Sequence, residues 1–195
     1  MSEASSFTQA GRAIGAMFYA FFGAGWLTWW CLQAYGAAPG ILALIVAGGA
    51  ALFILALRQF RRHRSALATQ ASTPAGKQIR RRFTIVNVIQ WLAIVVAANL
   101  LANFGQSEWI AAAVILIVGL HFIPLAAIFK NRSHYLTGSA LILLSVTYPF
   151  VSGIGAASPV GLLGTGMILW GSALGALMGS SAGNGLRAAP PDNAK

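Results

Sequence analysis

The stretch WIAAAVILIVGLHFIPLAAIF, Trp109 to Phe129, decides the class of this fold. At 1.5 Å of rise per residue it makes a helix about 31 Å long, close to the thickness of the hydrocarbon core of a bilayer. His121 is its only ionisable side chain, and apolar residues run all round it. That pattern excludes a surface helix, which needs a polar face, and a barrel strand, which alternates polar with apolar.

Similar stretches lie on both sides. Thr84–Phe104 precedes it across Gly105-Gln106-Ser107-Glu108, and Tyr135–Val151 and Pro159–Met178 follow, joined by the glycine-rich turn 152–158. Upstream, Ala13–Tyr35 and Gly40–Leu57 flank the turn Gly36-Ala37-Ala38-Pro39. The expected fold is therefore an all-α membrane protein, a bundle of six transmembrane helices (13–35, 40–57, 84–104, 109–129, 135–151 and 159–178) arranged as three hairpins. Residues 1–12 and 181–195 are tails, and 58–83 is a basic loop whose centre, Ser65 to Gly76, reads as a flexible linker. The overall composition agrees: 57% of residues are hydrophobic and 8% charged, where a soluble domain carries roughly 25% charged residues.

All thirteen basic residues fall on one side of this six-helix topology. Eight lie between the second and third helices, Lys130 and Arg132 lie between the fourth and fifth, and Arg12, Arg187 and Lys195 are in the tails. The opposite loops carry no cation and include Glu108. By the positive-inside rule both termini are expected on the cytoplasmic side of the membrane. A cleavable signal peptide is the competing reading, because Ala34-Tyr35-Gly36 has the small-x-small spacing of a cleavage site; the apolar run before it exceeds a signal core, and Trp26, Trp29 and Trp30 belt its outer end.

A net charge of +10 raises nucleic acid as a partner. The cations sit between membrane-spanning runs, however, so anionic lipid headgroups are the nearer partner and nucleic acid is not expected. Arg58, Arg61, Arg62, Arg64, Arg80, Arg81 and Arg82 are the expected headgroup or protein-partner contacts, and they also serve simply to fix topology.

The three acids, Glu3, Glu108 and Asp192, all lie outside the apolar runs. An intramembrane site therefore depends on His121, by default a functional position because polar groups within a bilayer are costly. Counting from the helix ends puts Asn87 and Gln90 of the third helix and Ser139 and Ser145 of the fifth near its depth. Pro124, which frees the carbonyl of Leu120, and Pro149 are expected kinks. Asn99 and Asn103 share a face near the outer end of the third helix. Gly171, Gly175 and Gly179 form GxxxGxxxG, a stripe that allows close helix packing within the subunit or between copies.

Several catalytic patterns fail on context. Gly179-Ser180-Ser181-Ala182-Gly183 matches G-x-S-x-G but lacks the strand-to-helix turn and the acid partner of a nucleophile elbow. A rhomboid-like protease needs its serine before its histidine, and here the serines of the last two helices follow His121. His63, His121, His134 and Cys31 are too scattered for a metal site. No catalytic residue, metal or cofactor is expected.

Gly119-Leu120-His121-Phe122-Ile123-Pro124-Leu125-Ala126, with Phe129-Lys130 and Tyr135-Leu136-Thr137-Gly138, resembles a segment of uncharacterised bacterial multi-pass membrane proteins grouped as domains of unknown function. The resemblance spans about thirty residues and implies a bacterial membrane protein with His121 and Pro124 at a favoured site. Two functions stand open: a small transporter or channel with its path at His121, and a non-catalytic membrane partner or lipid-interacting protein using the basic loop and the glycine-rich sixth helix. An intramembrane enzyme would need groups this chain supplies only singly.

Overall fold

The computed structural model describes residues 3–71 and 73–185, with the side chains of 8–65 and 73–179. Among these residues every regular element is helical: α1 Glu3–Tyr35, α2 Pro39–Ala71, α3 Pro74–Asn103, α4 Ile110–Phe129, α5 Arg132–Val151 and α6 Val160–Gly185, with 3₁₀ turns at Ser107–Trp109 and Gly155–Ala157. Five of the six helices, α2 to α6, are long and apolar enough to cross a membrane. The chain is thus a multi-pass membrane protein. α1, at 33 residues, is long enough but falls outside that set, its apolar run being interrupted by tryptophans, tyrosines and glycines.

The basic segment is helical at 58–71 and 74–83, where a loop was expected. α2 runs on to Ala71 and α3 starts at Pro74, ten residues early. The reason is local: Ala66-Leu67-Ala68 and the arginines before them are good helix formers, and Thr73 caps α3 by accepting the Gly76 N–H at 3.0 Å, with Pro74 preset for the first helical position. The N-terminal tail is likewise helical from Glu3. The expected C-terminal tail from 186 onward, with Arg187 and Lys195, lies outside the described residues.

α6 meets α1, α2, α4 and α5, and α1 packs chiefly on α2 and α6. Ala13, Ala16, Ala20, Leu27 and Cys31 are buried at spacings of three, four or seven residues, a single face against α2 and α6. Small residues let the helices close. A Cβ on Gly166 of α6 would stand 3.1 Å from the Gly23 carbonyl of α1, and one on Gly48 of α2 would stand 2.8 Å from the Trp170 ring. Trp170 fills that space as a wedge, and its Nε1–H donates to the Ala20 carbonyl at 3.2 Å. Between α4 and α5 the backbones meet at Gly119 and Gly138: a Cβ on Gly138 would stand 2.8 Å from the Gly119 carbonyl.

α3 differs from the rest. None of its residues is buried; it leans on α4 and barely touches α2, to which only two residues join it. Pro124 and Pro149 both lie inside unbroken helical segments.

Candidate functional site

The junction of α4 and α5 builds the most polar part of the molecule. α4 ends at Lys130, whose left-handed backbone (φ 50°) stops the helix. Asn131 then caps α5: its Oδ1 accepts from the Ser133 N–H at 3.2 Å and from the Ser133 hydroxyl at 2.8 Å. One turn of α5 later His134 points back into the bundle. Its Nδ1 lies 2.7 Å from the Tyr19 hydroxyl of α1, its Nε2 lies 3.5 Å from Asn131 Nδ2, and its ring stacks on Phe122 of α4 with centroids 5.9 Å apart. From beside the α4–α5 loop His134 thus ties three helices together.

Beside this knot a cleft of about 690 Å³ opens between α5 and α6. Its rim carries Arg12, Lys130 and Arg132. Its wall carries Thr137 and Ser172, whose hydroxyls pair at 2.8 Å. Farther along α5 and α6 the lining turns apolar, with Leu136, Ala140 and Ile168. Gly171, Gly175 and Gly179 line its α6 side.

That placement corrects the reading of the glycine stripe. A Cβ on Gly171 or Gly175 would meet nothing within 4 Å, so among the described residues no helix packs there. At Gly179 the neighbour is Arg12, whose Nη1 donates to the Gly179 carbonyl at 3.0 Å and so holds the guanidinium at the mouth of the cleft. The glycines that do bring backbones together are Gly119 with Gly138 and Gly23 with Gly166, pairs split between helices. No spacing rule within one helix could reveal them.

The residues expected around His121 do not converge. His121 is half-buried, approaches the main chain of Val86 in α3 and touches the Phe122 ring, and its Nδ1 is buried with no hydrogen-bond partner. Asn87 lines a shallow groove along α3 with Thr84 and Trp91, and Gln90 is half-buried. Ser145 is buried and donates to the Ile142 carbonyl of its own helix at 2.8 Å, while Ser139 is exposed. Among the described residues no hydrogen bond joins any two of these five. Equal depth does not mean a shared face. Asn99, too, turns to its own helix, donating to the Val95 carbonyl at 2.8 Å.

The seven arginines of the α2 and α3 extensions, Arg58, Arg61, Arg62, Arg64, Arg80, Arg81 and Arg82, are all exposed.

Comparison with family models, with curated proteins and with solved structures gives no match. The site must be read from its own chemistry.

Proposed function

We propose that this is a non-catalytic, lipid-interacting protein of a bacterial cytoplasmic membrane, crossing it six times as three hairpins with both ends cytoplasmic. The observation that carries the reading is the gathering of cations at one end of the bundle. Arg12, Lys130 and Arg132 share a cleft there, Phe83 at the start of α3 meets Phe129 at the end of α4 with centroids 5.8 Å apart, and the exposed arginines of α2 and α3 extend from the same end. Glu108, an acid with a described side chain, precedes α4 and is about 30 Å from that end along the helix. Each basic residue near an anionic leaflet contributes about 1 kcal/mol of attraction. α1 belongs to the crossings too, because its buried face follows α2 and α6 from Ala10 to Cys31. The bacterial source rests on the resemblance of residues 119–138 alone.

The test is lipid retention. Protein purified in mild detergent from membranes containing phosphatidylglycerol should retain that lipid over phosphatidylethanolamine, and Arg80→Gln, Arg81→Gln and Arg82→Gln together should reduce the retained amount. Equal retention of both lipids would end the proposal.

A second reading, a small transporter or channel, keeps one observation in its favour: the buried, unpartnered Nδ1 of His121. Under that reading reconstituted protein moves protons or a small solute across a liposome and His121→Ala abolishes the flux.

A further inference from the structure

We propose that the cleft between α5 and α6 is a binding site for one anionic phospholipid, its phosphate held by Arg12, Lys130 and Arg132 and one acyl chain laid along the glycine face of α6. This rests on the lipid-interacting reading above and goes further, since it places the ligand away from the α2 and α3 arginines and specifies both of its ends.

Charge complementarity commits the cleft to an anion. Three cations line one mouth, and no acid is among the residues lining the cleft. Arg12 is held there by the Gly179 carbonyl through a single Nη1 contact, which leaves the rest of its donor fork for a phosphate oxygen. The first turn of α5 adds to this field. Asn131, Arg132 and Ser133 all line the cleft, so the positive end of the helix dipole lies at the same mouth.

The shape distinguishes a lipid from a soluble anion. A site for free phosphate needs only the mouth. This cleft continues along α6 from Gly179 past Gly175 and Gly171 to Ile168, about 16 Å of helix whose lining residues before Ile168 are all small, and Leu136 and Ala140 wall its α5 side. In a helix that crosses a membrane, a bare stripe that no other helix covers leaves a groove at acyl-chain depth. The hydroxyl pair of Thr137 and Ser172 lies about 10 Å along α6 from Gly179, within reach of the glycerol ester groups of a lipid whose phosphate is at the mouth, and Ala140, Ile168 and Gly171 lie beyond it. The mouth of the cleft is cationic and its deepest residues, Ala140 and Ile168, are apolar, the order of a phospholipid from phosphate to chain.

Native mass spectrometry of the detergent-solubilised full chain tests this with three probes: dioleoyl phosphatidylglycerol, dioleoyl phosphatidylcholine and inorganic phosphate. The expected result is one tightly held phosphatidylglycerol. Lys130→Gln and Arg132→Gln should each weaken it about fivefold, the loss for one interfacial cation, and Gly175→Leu, which fills the groove at a position with open space, should abolish it. Gly175→Leu must keep the unfolding temperature of the parent, and Gly175→Ala, which intrudes less, should bind with intermediate affinity. If inorganic phosphate competes and Gly175→Leu has no effect, the site takes a soluble anion and the lipid assignment is overturned. If none of these variants changes retention but the Arg80, Arg81 and Arg82 triple variant does, the cleft proposal fails while the broader lipid-interacting reading stands; if neither set matters, both fail.

Discussion

The Tyr19 hydroxyl of α1 lies 2.7 Å from Nδ1 of His134 in α5, across 115 positions of sequence. The contact joins α1 to the first turn of α5, and Phe122 of α4 packs against both rings, with centroids 5.5 Å from Tyr19 and 5.9 Å from His134. The cationic mouth is built on this knot, because Lys130, Asn131 and Arg132 belong to the turn that His134 anchors.

Removing the phenol oxygen should therefore loosen that turn. Tyr19→Phe leaves the His134 nitrogen without its partner from α1, at a cost of about 1–3 kcal/mol for an unsatisfied buried group. A lowered thermal unfolding temperature in detergent, with His134→Ala adding little in the double variant, is the expected outcome. Additive losses would show that the two side chains act independently.

The glycines should separate into two classes. Gly138→Ala forces a methyl against the Gly119 carbonyl, an overpacking worth about 1–3 kcal/mol. Gly171→Ala enters open space and gains up to about 1 kcal/mol of helix propensity. Thermal unfolding of both variants distinguishes them, and a Gly171→Ala loss as large as that of Gly138→Ala would mean that the stripe is covered.

The proposed six crossings would give a definite labelling pattern. Cys31 is fully buried, so single cysteines can be introduced beside it without replacing it. In inside-out vesicles, Thr8→Cys and Ser65→Cys should react with an impermeant maleimide and Ala37→Cys should not. Labelling of Ala37→Cys together with Thr8→Cys would mean that α1 does not cross.

His121→Leu replaces an imidazole whose buried Nδ1 has no partner. An unsatisfied buried polar atom costs about 1–3 kcal/mol, so the substitution should leave the protein as stable or more stable in thermal unfolding. A clear loss of stability would show that the imidazole makes a favourable contact, most simply through a bound water.

Much of the fold was legible in the chain because a bilayer restricts it so strongly. Apolar length and loop charge carry that information residue by residue, and they located all six helices, α4 to within a residue of both its ends. The helical course of 58–83 was missed because its charges read as a loop, whereas arginine and alanine favour helix and Thr73 with Pro74 starts α3 after a break of only two residues. The site was much less legible. Asn87, Gln90, Ser139, Ser145 and His121 were grouped by depth, but sequence does not fix the rotation of one helix relative to another.

The sequence by itself determined that this is a helical, multi-pass membrane protein with its cations in a few short stretches, since burying backbone in lipid leaves little choice for long apolar runs. Only the tertiary structure decided which small residues meet and which stay bare. Gly119 closes on Gly138 and Gly23 on Gly166, while Gly171 and Gly175, in a more conspicuous motif, face an open cleft. The physical reason is that a helix–helix contact belongs to two surfaces at once, and a repeat written along one helix records only its own half.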